Sequence, residues 1–192
     1  MKKLVLAYIL SLGFIKTMAQ ESDKKWQFAV GAATSAPLSQ FKNYYSAGFG
    51  GEFEASYHFS EKFSWYAKTG YNMFSGKKNT YVYFGFPFEY TSPKIAYIPI
   101  LSGPRYTIGN VSVGVASGVG IYNFKDDGNS VSAIGDTTGV SFTYSPEISY
   151  NFGKLRVAAS YTASTVKLDD QFAGFIDIKN ATFLGIKLFY QF

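Results

Sequence analysis

The sequence predicts an all-β fold: an eight-stranded antiparallel up-and-down barrel that crosses a membrane with its strands and follows a cleaved signal peptide. Three observations predict it. Apolar and polar residues alternate with period two over eight segments. The links between those segments alternate strictly between short and long. The chain closes on the segment Thr182 to Phe192, in which Leu184, Ile186, Leu188, Tyr190 and Phe192 are large and apolar while Gly185, Lys187 and Gln191 lie between them. A strand with lipid on one side and a polar interior on the other requires that alternation. A soluble domain avoids it at a free edge, where it invites aggregation.

The first residues are read as a signal peptide. Met1-Lys2-Lys3 is a basic start, Leu4 to Ile15 an apolar core, and Thr17-Met18-Ala19 a small-residue end, so cleavage is expected after Ala19. The apolar core is well short of the roughly 20 residues that a spanning helix needs. Residues 1–19 are therefore assigned to the signal and 20–192 to one barrel domain. Loss of Lys2, Lys3 and Lys16 takes 18 basic residues to 15 against 13 acidic ones, a mature net charge of +2 rather than +5. Much of the high pI belongs to the discarded segment and supplies no argument for nucleic-acid binding. The absence of cysteine excludes disulfides and thiol chemistry.

The strands are expected at 26–34, 48–59, 63–74, 94–108, 111–124, 139–151, 155–165 and 181–192. Ser60-Glu61-Lys62, Gly109-Asn110 and Phe152-Gly153-Lys154 make the short links; 35–47, 75–93, 125–138 and 166–180 make the long ones. The first strand begins with Trp26 at the short-link rim. The second opposes Phe53, Ala55, Tyr57 and Phe59 to Glu52, Glu54, Ser56 and His58. The third opposes Phe63, Trp65, Ala67 and Tyr71 to Ser64, Lys68 and Asn72. Within 75–93, the run Tyr81, Val82, Tyr83, Phe84, Gly85, Phe86, Pro87, Phe88, Glu89, Tyr90 has strand composition. It is read as an aromatic hairpin arm extending the third and fourth strands, because a ninth strand would break the alternation of links. In the fourth strand Pro99 and Pro104 each remove a ladder donor, and a bulge is expected to shift its register. The fifth opposes Val111, Val113, Val115, Val119 and Ile121 to Ser112, Gly114, Ala116, Gly118 and Gly120. The sixth opposes Phe142, Tyr144, Ile148 and Tyr150 to Ser141, Thr143, Ser145, Glu147 and Ser149, and the seventh Leu155, Val157 and Tyr161 to Arg156, Ser160 and Thr162.

The bulky face is assigned to lipid. The polar set is rich in Gly, Ser and Ala, which suit a crowded interior, whereas a secreted lipocalin-like barrel would turn its apolar face inward. Trp26, Phe59, Phe63, Tyr106, Tyr150, Tyr190 and Phe192 gather near the short-link rim, where an interfacial girdle belongs. No charged residue then falls on a lipid-facing strand position.

The inward charges are Glu52, Glu54, Lys68, Arg105, Glu147, Arg156 and Lys187. Pairing Phe59 with Phe63 across the short link puts Glu54 opposite Lys68, and Glu147 comes near Arg156 diagonally. Three acids and four bases in a narrow lumen are expected to neutralise one another, and an eight-stranded barrel is just wide enough to fill with side chains. A gated narrow pore built on the same charges is the alternative. His58 is the only histidine; Ser56 and Glu54 share its face, but as a file along one strand, so no catalytic residue is assigned. Asp126-Asp127 and Asp169-Asp170 lack the ligand spacing of a calcium loop, and no metal or cofactor site is assigned. Gly118-Val119-Gly120 continues as strand and is no nucleotide fingerprint.

The signal peptide, the alternating links and the Leu184-Ile186-Leu188-Tyr190-Phe192 ending resemble those of small eight-stranded bacterial outer-membrane barrels, the OmpA transmembrane domain and the OmpX type. The resemblance spans the whole mature chain and is specific for class, not function. It implies the Gram-negative outer membrane, both termini periplasmic, outer-membrane lipid and lipopolysaccharide as surroundings, and a C-terminal strand read by the barrel-assembly machinery. Because the chain ends at its last strand, no peptidoglycan-binding domain is expected, and cell-wall anchoring is not carried over. Three functions follow: a structural or surface-interaction protein, a narrow pore or conduit for ions or small apolar molecules as in OmpW-like barrels, and a lipid-modifying enzyme, disfavoured by the position of His58. A part in a secretion or assembly machine is a further possibility. Tyr81, Tyr83, Phe84, Phe86, Phe88 and Tyr90 are the candidate loop contact.

Overall fold

A computed structural model describes residues 25–83, 86–125, 137–165 and 180–192. The signal segment and the acidic pairs Asp126-Asp127 and Asp169-Asp170 lie outside the described residues. In chain order the elements are β1 (Trp26–Leu38), α1 (Phe41–Tyr44, a single helical turn), β2 (Tyr45–His58), β3 (Phe63–Gly76), β4 (Lys78–Tyr83), β5 (Phe86–Thr91), β6 (Lys94–Ile108), β7 (Val111–Lys125), β8 (Thr137–Phe152), β9 (Leu155–Thr165) and β10 (Asn180–Gln191). Eight strands close in the order β1-β10-β9-β8-β7-β6-β3-β2, all neighbours antiparallel, while β4 and β5 form a two-stranded sheet of their own. The barrel is thus the meander expected from the links, with one hairpin inserted between β3 and β6.

The short links make tight reversals. Gly109 and Gly153 adopt φ of +58° and +62°, the left-handed region open to a residue without Cβ. Between β2 and β3, Phe59 and Ser60 both donate backbone N–H to the Phe63 carbonyl at 3.0 and 3.2 Å. Closure falls to the chain ends. The β1–β10 ladder runs from Leu38–Thr182 to Ala29–Gln191, and Phe192 N donates to the Phe28 carbonyl at 2.9 Å.

The register expectation for the proline strand fails in an instructive way. β6 keeps one register along its whole length against both β3 and β7. Each proline instead interrupts a ladder on one side only. The pairs Gly70–Pro99 and Tyr71–Ile98 drop out toward β3, and Gly103–Ala116 and Pro104–Val115 drop out toward β7. Pro146 does the same between β8 and β9. A missing donor removes a hydrogen bond without adding a residue, so the strands stay aligned. The register shift lies between Tyr45 and Gly48 of β2, where the chain enters the barrel from α1.

The outer surface is the apolar face of the alternation. Val113, Ile148, Phe142, Ile186 and Leu188 are among many large apolar residues at least half exposed, a surface that only lipid can cover. The aromatic girdle at the short-link rim is a contact chain. Trp26 meets Tyr57 at 5.0 Å between centroids, Tyr57 meets Phe59 at 5.1 Å, and Phe59 meets Phe63 at 5.7 Å. Among the described residues of the barrel strands, charged side chains on the outer face lie at strand ends, notably Lys94 and Lys125, directly opposite one another at the long-link rim.

Candidate functional site: a lumen filled at two levels

The lumen is filled by two layers of different chemistry. Nearer the short links lies a continuous ion network. Glu54 on β2 is gripped by two arginines from other walls of the barrel. Arg105 on β6 donates Nη1 and Nη2 to Oε1 and Oε2 at 2.6 and 2.8 Å; Arg156 on β9 does the same at 2.7 and 2.8 Å. Ser56 adds a donor at 3.1 Å. Two planar forks on one carboxylate give bidentate geometry twice over. Arg105 also reaches Glu147 on β8 at 3.1 Å, and Lys68 on β3 meets the same carboxylate at 3.2 Å. Lys187 on β10 joins Glu147 at 3.4 Å to Glu52 at 2.8 Å. All seven charged residues singled out in the sequence are therefore buried and linked.

The pairing differs from that expected. Glu54 does sit opposite Lys68 in the β2–β3 register, but Lys68 turns to Glu147 and Ser145 across the lumen. Glu147 sits opposite Ser160, and Arg156 opposite Asn151; Arg156 then reaches to Glu54. In a tube this narrow, long side chains meet near the axis, so the opposite wall competes with the neighbouring strand. Two guanidinium groups are further fixed by rings on their own side. Arg105 lies 3.9 Å from the Tyr66 centroid and Arg156 4.4 Å from that of Phe189.

Nearer the long links, the lumen is closed by aromatic packing. Phe41, Tyr45, Phe74, Ile95, Tyr97, Tyr122, Phe124, Ala181 and Phe183 form one buried cluster. Phe183 sits at its centre, 5.2 Å from Phe74 and 5.3 Å from Tyr97. Phe41 comes from α1, outside the ladder, and inserts its ring 4.7 Å from Tyr45 and 5.2 Å from Phe74. The Tyr122 hydroxyl is tied down: it donates to Ser164 at 2.6 Å, and Thr143 meets Ser164 at 2.6 Å. Small residues supply the room. A Cβ on Gly48 would stand 2.6 Å from the Phe74 ring.

This aromatic layer is not among the sequence expectations, although parity contains it. Phe74 shares the inward parity of Lys68 and Phe183 that of Lys187, as do Tyr66 and Phe189, the rings beside the two arginines. Sorting bulky residues to lipid left them unassigned.

His58 does not complete a relay with Ser56 and Glu54. Its Nε2 lies 3.3 Å from Gln27 Oε1, and Ser56 spends its proton on Glu54. No group of three or more His, Cys, Asp or Glu residues that could hold a metal occurs among the described residues. Of the six loop aromatics, Phe84 lies outside the described residues. Tyr81, Tyr83, Phe86, Phe88 and Tyr90 are placed by backbone alone, in a hairpin whose register runs from Lys78–Thr91 to Tyr83–Phe86. At its base Ser92 N donates to the Lys77 carbonyl at 3.0 Å.

No protein-family model matches the sequence, and no curated protein sequence matches it. Solved structures do. The N-terminal β-barrel domain of Pseudomonas aeruginosa OprF superposes with a TM-score of 0.52 at 13% identity, covering 86% of this chain and 97% of that one. Ail, the attachment invasion locus protein of Yersinia pestis, superposes with a TM-score of 0.52 at 19% identity, covering 87% of this chain and 97% of that one. The likeness is one of fold: this chain has the fold of the eight-stranded outer-membrane β-barrels.

Proposed function

We propose that the chain is an integral outer-membrane protein of a Gram-negative cell whose barrel is a closed support and whose work, structural or surface-interacting, lies in the long links. The filling of the lumen at two levels carries this reading. A conduit needs a continuous wet path, whereas here seven charges are consumed by one another and an aromatic layer lies in series with them. Outer-membrane lipid and lipopolysaccharide are the proposed surroundings of the apolar outer face and the long-link rim. The β4–β5 hairpin is the proposed contact element for a surface or secretion-system partner. Both termini are proposed to lie in the periplasm, and the outward row Leu184, Ile186, Leu188, Tyr190 and Phe192 is proposed as the signal read by the barrel-assembly machinery. The geometry around His58 supports no catalytic role.

The test is single-channel recording on the chain from Gln20, refolded and shown to be heat-modifiable, in a planar bilayer. Silence is expected. Reproducible openings whose size changes with Glu54→Ala or Lys68→Ala would replace this reading with a narrow pore.

A further inference from the structure

One ring of the aromatic layer is held differently from its neighbours. Phe74, Tyr97, Tyr122 and Phe183 stand on ladder strands, whereas Phe41 stands on α1, in the link between β1 and β2. That element is a single turn; its N-cap Gln40 makes no side-chain cap, and its first turn carries no acid. A helical turn so short does not persist in water by itself. Irregular backbone flanks it on both sides. Ser39, which is exposed, takes φ of +47°, a region that a residue with a Cβ avoids. After the turn, Tyr45 pairs with Gly76, and the register shifts before the next pair, Gly48–Phe74. Lys77, at the root of the β4–β5 hairpin, ties the turn down. Its backbone N–H donates to the Tyr44 carbonyl and its Nζ to the Lys42 carbonyl, each at 2.8 Å.

What the turn delivers to the lumen is one ring. Phe41 is 1% exposed, while Lys42 and Asn43 beside it face solvent. Its ring lies 4.7 Å from Tyr45, 5.2 Å from Phe74 and 6.4 Å from Phe183. Lifting α1 therefore vacates one benzene-sized volume at the top of the layer and leaves the ladder strands in place. The vacated space has Phe74 and Phe183 as walls and Tyr45 at its lip. It is blind, because the ion network fills the tube beneath.

We infer that the long-link mouth is a binding site for one small, neutral, single-ring aromatic molecule, and that Phe41 on its hinged turn occupies the site until such a molecule displaces it. The volume of the Phe41 ring sets the size. Walls that already pack a ring edge-on and tilted set the planarity, and their apolar surface excludes a charged group. The inference goes beyond the barrel's role as a support and leaves it intact, since a ring in a blind cup opens no path for ions.

The test uses the refolded chain from Gln20 in phospholipid nanodiscs, carrying 4-fluorophenylalanine at position 41, with phenol as the probe. Fluorine NMR should show a dominant buried resonance, and phenol should transfer intensity saturably to a solvent-like one. Cyclohexanol, similar in size but not planar, should not. Ser39→Pro forbids the positive φ of the closed turn. It should enlarge the solvent-like resonance before any phenol is added and lower the half-saturating phenol concentration about 10-fold. Crystals give a reading that does not depend on that variant: in 4-bromophenol, Phe41→Ala should show one anomalous bromine peak where the ring lay, beside Phe74 and Phe183. A buried resonance that phenol leaves unchanged would overturn the proposal, as would an equal response to cyclohexanol. So would a Ser39→Pro chain that takes phenol no more tightly, or Phe41→Ala crystals without the peak.

Discussion

The two halves of the lumen fill the same tube by opposite means. Nearer the short links, long flexible side chains cross the axis and satisfy partners three strands away, as Lys68 on β3 does with Glu147 on β8. Nearer the long links, rigid rings meet across the same tube, Phe183 on β10 against Phe74 on β3 and Tyr97 on β6, and a ring supplied by α1 completes the packing. The charged half depends on pairing: removing one member strands another in low dielectric. The aromatic half depends on volume: removing one ring leaves a cavity and orphans nothing. The two halves should therefore fail differently.

The sharpest break in that comparison is Glu54→Ala. It leaves Arg105 and Arg156 facing each other across the space their shared carboxylate filled, and should cost about 3–5 kcal/mol, at the upper end because two cations lose a partner together. Urea unfolding of the refolded barrel reads it. A loss below about 1 kcal/mol would mean that lumen water solvates these arginines and that the network is no more than a polar filling. Phe183→Ala is the matching test at the centre of the aromatic layer. Cavity creation there should cost about 3 kcal/mol, and Phe183→Leu should recover most of it, whereas Glu54→Leu should recover nothing.

Phe41→Ala separates the cap from the wall. Phe41 hangs from one helical turn rather than a ladder strand, so its pocket can relax, and a smaller loss of about 1–2 kcal/mol is expected. In a planar bilayer the variant should stay silent, because the ion network still lies in series. Current from Phe41→Ala alone would show that the charged layer is no barrier to ions.

How much of this was legible in the sequence follows from the same contrast. Strand positions and facing directions rest on a period of two, and that survives in any register; β6 was placed at 94–108, where it lies. The seven inward charges followed from parity, and so did the position of Glu54 opposite Lys68. Their partners did not. Which residues meet on the axis depends on how the sheet closes and how far its strands are sheared, and neither quantity is local to a strand pair. The aromatic layer was hidden for another reason. Phe74 and Phe183 carry the same side chains as the lipid-facing rows, and only their parity separates them. Pro99 and Pro104 suggest a bulge because a bulge also costs ladder donors, but only a bulge adds a residue, and β6 has none to add.

The finest test of the contrast is a pair of double-mutant cycles. Lys68 and Lys187 both donate to Glu147 Oε2. Lys68→Met alone leaves Glu147 with Lys187 and Arg105, and Lys187→Met alone leaves it with Lys68 and Arg105. With both changed, Glu147 keeps Arg105 only. The double variant should therefore be about 1 kcal/mol less stable than the sum of the singles. In the aromatic half, Phe41 and Tyr122 belong to one cluster, yet each packs on different rings, Tyr45 and Phe74 for the one and Tyr97 for the other. Their single losses should add to within about 0.5 kcal/mol. Equal coupling in both cycles would mean that the two layers move as one body, and the division between a paired half and a packed half would have no energetic content.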